Sequence, residues 1–434
     1  MGLFNWLRTV LFGAPPQPTG DFTPDQPPPA GRDVHPVTGE RVSHSRARLD
    51  RLEYRSSLIR TPSRRESAGS DPPYQFAHRN PRTGRWLDLT TDADPRWLDY
   101  YGLPHLKTPA DLADWLEMPI GRLGWLTHRF CDDRRPPSAQ TAHYHFQWLN
   151  KKTGGHRLIE SPKTSLKGAQ RKILSGIIER IPPHRNAHGF VAGRSILSNA
   201  RPHVGAYAVL KLDLENFYPS VRYSRVVAIF RSVGFSRDVA IWLARLTTSA
   251  VPHDIPRPAG GHAAVWPYFS RHLPQGAPTS PALANLSAYS LDVRLTGMAR
   301  AYDVTYTRYA DDLTFSGSYR FAAAIRDFAP LVTRIVRDER FKANRSKQRI
   351  IRRNKRQTVT GVVVNEKPNI SRDAYDTLKA ILTNCAKRGP STQNRGAHEN
   401  FAAHLRGRIA HVAHLNPRRG AKLLQLYATI DWSR

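Results

Sequence analysis

Tyr306-Thr307-Arg308-Tyr309-Ala310-Asp311-Asp312-Leu313-Thr314-Phe315-Ser316-Gly317 is the stretch whose reading decides the fold. Two short runs rich in β-branched and aromatic residues flank adjacent acids, which predicts a β-hairpin with Asp311-Asp312 at its two-residue tip. Two carboxylates held on a rigid tip repel, which raises the cost of ionising both. A divalent cation removes that cost. Aspartate is also a common turn residue, so an ordinary solvated loop is the plain alternative. A third acid and a nucleotide site elsewhere in the chain would decide between them.

The third acid ends Ala208-Val209-Leu210-Lys211-Leu212-Asp213. This reads as a buried strand with its acid at the end where an open sheet presents its chemistry. Leu214 to Val221 then turn away toward a helix near Tyr223. Further on, Leu273-Pro274-Gln275-Gly276-Ala277-Pro278 runs into a helix bearing Leu283, Leu286 and Tyr289. Such a turn lets backbone and an amide side chain approach a flat ligand, although a plain loop-helix junction reads the same way. Upstream, alternating Tyr144-His145-Phe146-Gln147-Trp148 and a Gly154-Gly155 turn predict a hairpin carrying Arg157, with Lys163 beyond it. Both cations suit a triphosphate, and both also suit an ordinary surface. Asp213, Asp311 and Asp312 together form the kind of oxygen set that Mg²⁺ accepts while keeping water and phosphate ligands. Two ions about 4 Å apart could then serve the attacking oxygen and the leaving pyrophosphate.

Composition agrees with a nucleic-acid partner. Lys and Arg number 66 against 35 Asp and Glu in 434 residues, a formal charge of +31. An excess of that size points to a polyanion, with nucleic acid ahead of membrane. No apolar run approaches the length of a bilayer span. The opening Met1-Gly2-Leu3-Phe4-Asn5-Trp6-Leu7 stretch lacks a basic leader and a small-residue cleavage site, so it does not read as a signal peptide. Gly2 is no myristoylation signal, because Trp6 stands where Ser or Thr is required. Cys131 and Cys385 are the only cysteines, which excludes a disulfide framework or zinc site. The chain reads as a cytoplasmic protein with no membrane partner.

The organisation expected is α+β. Residues 1–84 form a basic, Pro-rich extension, largely linker-like and partly disordered. Residues 85–135 form a small helical subdomain, with Thr108 capping a helix that begins at Pro109. Residues 136–365 hold the strands and the acids, and 366–434 are helical, with Ser371 capping a helix stopped by Gly389-Pro390.

Three motifs resemble those of reverse transcriptases, in the family order: Leu212-Asp213 with Phe217-Tyr218, Leu273-Pro274-Gln275-Gly276 with Ser280-Pro281, and Tyr309-Ala310-Asp311-Asp312. The resemblance implies a right-hand polymerase fold, with fingers and palm in 136–365 and a thumb in 366–434. It implies that Asp213, Asp311 and Asp312 are catalytic and bind two Mg²⁺ ions with the Leu214 carbonyl. It further implies that Tyr218 lies below the incoming sugar and excludes a ribose 2′-OH. Gln275, with Gly276, contacts the nucleotide from the other side, and Arg157 holds the triphosphate of the dNTP.

Within that family the chain is most similar to the bacterial retron reverse transcriptases. Asn199-Ala200-Arg201-Pro202-His203 fits their Asn-Ala-x-x-His element, and Val359-Thr360-Gly361 fits their Val-Thr-Gly element. The resemblance implies RNA binding by Asn199, His203, Val359, Thr360 and Gly361. The implied partner is a structured noncoding RNA, one of whose 2′-hydroxyls primes DNA synthesis to give a branched RNA-DNA product. It also implies a role in antiphage defence with a separate or fused effector protein; no effector domain is recognisable here. The long N-terminal extension departs from the shortest family members. A group II intron-like enzyme, another defence-associated reverse transcriptase and a non-catalytic RNA-binding scaffold are the competing expectations. Intact Asp213, Asp311 and Asp312 argue against the scaffold, which has no need to crowd three acids.

Overall fold

The computed structural model describes residues 65–66, 71–80, 82–127, 135–136, 138–151, 154–256, 258 and 265–433. The expected linker 1–84 therefore lies mostly outside the described residues. Two short strands within it, β1 (Arg65–Glu66) and β2 (His78–Arg79), flank β3 (Trp86–Asp88) in an antiparallel sheet. The chain separates into two compact units. The first comprises Met1–Arg185, Asn216–Arg294 and Val336–Lys342, and the second Asn186–Glu215, Leu295–Ile335 and Ala343–Arg434.

In the first unit, helix Pro109–Trp115 starts as its sequence dictates. The Thr108 hydroxyl accepts from the Asp111 N–H, and the Asp111 carboxylate accepts from the Thr108 N–H. Leu112 and Leu123 are buried beneath this helix and the next, Ile120–Leu126. Strands β4 (Tyr144–Asn150) and β5 (His156–Pro162) pair from Tyr144↔Pro162 to Asn150↔His156, giving the hairpin expected around Gly154-Gly155. Helix Thr164–Gly176 follows, and its buried Gln170 donates to the Tyr144 hydroxyl at 2.9 Å and the Leu246 carbonyl at 2.8 Å. Helices Tyr223–Ser232, Arg237–Thr247 and Ser280–Ser287 complete this unit around Phe230, Trp242 and Leu283.

The second unit is built on four antiparallel strands in the order β7 (Thr305–Tyr309), β8 (Asp312–Gly317), β6 (Ala208–Asp213), β9 (Arg349–Arg352). β6 is flanked on both sides and buries every residue except Lys211, which accounts for its nearly continuous apolar sequence. Phe315 of β8 stacks on Tyr306 with centroids 4.8 Å apart and meets Phe328 edge-on at 5.1 Å, which seats helix Tyr319–Asp338 on the sheet. Strands β10 (Thr358–Val359) and β11 (Val362–Val363) make a second small hairpin. Helices Arg372–Arg388, Phe401–Leu415 and Pro417–Ala428 then close around Leu378, Leu382, Leu405, Ile409, Val412 and Leu423. Ser371 accepts from the Ala374 N–H as its N-cap, and Gly389 ends the first of these helices. No helix among the described residues is long and apolar enough to cross a membrane.

Two glycines of this helical bundle make opposite predictions. A Cβ on Gly420 would overlap Ala413 Cα and Cβ, whereas one on Gly407 would meet nothing within 4 Å. Gly420→Ala should therefore destabilise by about 1–3 kcal/mol through overpacking. Gly407→Ala should stabilise by ~0.5–1 kcal/mol by removing a flexible residue from a helix interior. Denaturant melts of the two variants check the pair; equal effects would contradict the packing described.

Candidate active site

The register of the sheet gathers the acids. Asp213 is the last residue of β6 and lies directly opposite Asp312, the first residue of β8. The two-residue turn between β7 and β8 is Ala310-Asp311, since Tyr309 pairs with Asp312. This corrects the expected position of the hairpin tip by one residue: Asp312 belongs to a strand and only Asp311 to the turn. The shift matters because it places Asp312 in the ladder with Asp213. Ala310 adopts φ 54°, the left-handed conformation that a two-residue hairpin loop demands.

Backbone bonds fix the acids on both sides. The Leu214 N–H donates to the Asp311 carbonyl at 2.9 Å, and the Asn344 N–H donates to the Asp213 carbonyl at 2.7 Å. The fully buried Arg308 guanidinium of β7 donates to the Ala310 carbonyl of the turn at 3.0 Å. Lys347 sets its ammonium 2.8 Å from Asp213 Oδ1. Lys347 lies in the basic stretch Lys342-Ala343-Asn344-Arg345-Ser346-Lys347, and nothing in the sequence singles it out from Lys342 or Arg345. Its pKa is raised, chiefly by the hydrogen bond to Asp213.

Burial, and next the neighbouring Asp213 charge, pushes the Asp311 carboxyl up to about 6. Burial also raises Asp312, and the Asp213 charge adds to this, while Lys211 and Lys347 pull the other way. A part-buried cluster of carboxylates that resists full ionisation suits a divalent cation, and oxygen donors of this kind fit Mg²⁺. Among the described residues, no three or more His, Cys, Asp and Glu side chains are already converged as a metal-ligand set. Asp213 instead uses its Oδ1 on Lys347.

The two short elements that narrowed the family reading meet each other. The Asn199 side-chain amide donates to Thr360 Oγ1 at 3.4 Å, and the Thr360 hydroxyl donates to the Ile196 carbonyl at 3.2 Å. Thr360-Gly361 is the turn of the β10-β11 hairpin, with φ 46° and 83°. Positive φ at both central residues is the type I′ pattern, which explains the glycine and makes Thr360 a strained residue. Asn199, His203 and Val359 are fully buried. His203 hydrogen-bonds Ser316 Oγ at 2.6 Å and Thr307 Oγ1 at 2.7 Å, fastening its helix to β8 and β7. Burial pushes this imidazole down to about 3, so it is neutral.

The expected nucleotide-binding residues all belong to the first unit. Arg157 is exposed on β5, and Tyr218 lies in the short helix Phe217–Ser220 with its ring 5.7 Å from Phe217. The Gln275 carbonyl accepts from the Glu160 N–H at 2.9 Å. Gly276 has φ 135°, and a Cβ there would lie 2.9 Å from the Glu160 carbonyl oxygen. The Gln275-Gly276 turn is thus laid against the strand that carries Arg157. A fully buried pair supports the junction: His272 Nε2 lies 2.8 Å from Glu160 Oε2, and Nδ1 bonds the Ser270 carbonyl at 2.8 Å. Sequence reading missed this pair, because an isolated Glu and an isolated His on separate elements carry no pattern.

A sheet carrying paired carboxylates beside an acidic hairpin turn is the arrangement of a metal-assisted nucleotidyltransferase, and similarity to known proteins agrees. Residues 149–364 match the family described as Reverse transcriptase (RNA-dependent DNA polymerase). The Retron Mx65 reverse transcriptase of Myxococcus xanthus is 41% identical over 76% of this chain and 73% of its own length. The Retron Mx162 reverse transcriptase of the same organism is 38% identical over 76% and 69%. The Retron Ec86 reverse transcriptase of Escherichia coli is 34% identical over 55% and 69%. The chain belongs to the retron reverse transcriptases and is an RNA-directed DNA polymerase.

The raised Asp311 pKa has a measurable sign. In metal-free buffer the folded chain keeps a proton on Asp311 that the unfolded chain releases from about pH 4 upward. That stabilisation is complete below about pH 4 and is lost as pH rises through about 6. Thermal melts of Asp311→Asn across this window should show a flatter pH dependence than the parent. Added Mg²⁺ should raise the melting temperature more at about pH 8 than at about pH 5, and Asp311→Asn should shrink the difference. An unchanged profile in the variant would refute the coupling.

Proposed function

We propose that this chain copies its own structured noncoding RNA into DNA, beginning from a 2′-hydroxyl of that RNA, and that the branched RNA-DNA product serves cytoplasmic antiphage defence with a separate effector protein. The register that sets Asp213 opposite Asp312, with Asp311 in the adjoining turn, is the observation that carries the catalytic part. In this reading residues 136–365 are fingers and palm, 366–434 the thumb, 85–135 a helical addition, and 1–84 an extension.

Asp213, Asp311, Asp312 and the Leu214 carbonyl would hold two Mg²⁺ ions. Bound there, the ions supply charge stabilisation for the attacking oxygen and the leaving pyrophosphate. The chain's own groups position the reactants. Lys347 balances Asp213 before loading, and the bonds to Leu214 and Asn344 keep the acids from moving apart. Arg157 pairs with the triphosphate, while Gln275, Gly276 and Tyr218 hold base and sugar of the dNTP. The hydroxyl oxygen bonds to the α-phosphorus, its proton is lost, and the bond to pyrophosphate breaks. Positioning and charge supply most of the rate in such transfers.

The retron-specific part rests on the Asn199–Thr360 contact and on the family. Asn199 and Val359 set the β10-β11 hairpin, His203 seats the adjoining helix on β7 and β8, and Thr360 with the exposed Gly361 presents the RNA-binding surface. The high positive charge holds the product duplex by its phosphates.

Asp311→Asn with Asp312→Asn should reduce nucleotide incorporation on a primed RNA by at least about a thousandfold while leaving RNA binding intact; retained synthesis would sink the catalytic assignment. Priming has its own check. Nucleic acid purified with the protein from cells making the noncoding RNA should contain DNA joined to RNA through a bond that a debranching enzyme cuts. Finding only linear products would overturn it.

A further inference from the structure

The loop Asn186–Arg194 lies along the outer edge of the catalytic hairpin. The Asn186 carbonyl accepts from the Arg308 N–H, and the His188 N–H donates to the Arg308 carbonyl, both at 2.7 Å. Ala187 thereby pairs in parallel with Arg308 of β7. Gly189 lies so close to the turn that a Cβ would stand 2.6 Å from the Ala310 nitrogen. The far end is tied back as well: the Arg194 guanidinium donates to the Ala187 carbonyl, and the Arg194 N–H donates to the Val191 carbonyl at 3.1 Å.

This fastened loop presents one aromatic ring to solvent. Phe190 is 58% exposed, has φ 58°, and lies 6.3 Å from the Tyr309 ring. A lone exposed phenylalanine is unremarkable by itself. A bulky residue in the left-handed region is a rare outlier, and such outliers gather where a ligand is gripped. Here strain, rigid anchoring and exposure coincide on one ring beside the acidic turn.

We infer that Phe190 is a stacking platform for an unpaired base of the RNA template strand at the polymerising site. Aromatic rings accept any base through its π-face, which suits a polymerase that must copy every sequence. The strand follows from the order of the sheet. The carboxylates at the β6-β8 junction engage the reacting hydroxyl and the triphosphate. Ala187 of the Phe190 loop pairs on the outer edge of β7, two strand spacings or about 10 Å from β8, and the side that this loop borders is left to the opposite strand. The inference takes Asp213, Asp311 and Asp312 as the catalytic acids.

The test uses full-length protein carrying Asp312→Asn, so that no nucleotide is incorporated. It binds a primed RNA template with 2-aminopurine either at the first unpaired template position or at the primer terminus. Phe190→Ala and Phe190→Gly should lose the quenching of the template probe and bind the primed template about tenfold more weakly. Phe190→Trp should restore both. Glycine relieves the positive φ, so Phe190→Gly should melt no lower than its parent, which separates loss of stacking from loss of fold. Quenching and affinity unchanged in Phe190→Ala, or a loss confined to the primer probe, would overturn the inference. Synthesis retained by Asp312→Asn with Phe190 intact would instead overturn the catalytic assignment, and the binding data would still decide the role of the ring.

Discussion

The structure turns on a repulsion. Asp213 and Asp312 face each other across neighbouring strands, with Asp311 in the adjoining turn. Like charges directly opposite in a ladder destabilise the pairing. The surroundings answer this cost without removing the acids. Lys347 offsets one charge, burial keeps Asp311 reluctant to ionise, and main-chain bonds from Leu214 and Asn344 fix the strand ends. Those bonds also explain why the Asn344–Lys347 segment must follow the sheet closely: it supplies a backbone donor and an ammonium to the same aspartate.

A second support lies on the face of the sheet that carries the acids and uses neutral hydrogen bonds. His203 joins Ser316 of β8 to Thr307 of β7, and its low pKa keeps it from adding charge to the sheet. Asn199 then links this helix to Thr360 in the strained β10-β11 turn. The family-specific elements are therefore mechanically continuous with the strands that carry the acids. Substituting His203 would disturb the hairpin and the Thr360 turn together, which separates its role from that of a surface RNA contact.

Much of this was legible in the residues. The alternation of β4 and β5, the buried run of β6, the capping of Pro109–Trp115 by Thr108 and of Arg372–Arg388 by Ser371 all rest on local chemistry that a sequence displays. The acids were legible because two adjacent aspartates within a β-rich run are unusual. Strand register was not: the turn at Arg308 and Ala310 is met by the loop at Gly189, which lies far from it in sequence. The partners His272–Glu160 and Lys347–Asp213 were hidden for the same reason, being separated by 112 and 134 residues.

Both groups of expected site residues are held by one device, a backbone approach too close for ordinary side chains. At Gln275-Gly276 the glycine lies against the Glu160 carbonyl, and at the acidic turn Gly189 lies against the Ala310 nitrogen. In each case a buried polar side chain, His272 with Glu160 or Arg308, stiffens the junction by hydrogen bonds. Rigidity of this kind is what a polymerase needs when positioning supplies much of its rate. A glycine at such a point reads in sequence as a loop, yet it is the condition for bringing two strands of the site within hydrogen-bonding distance.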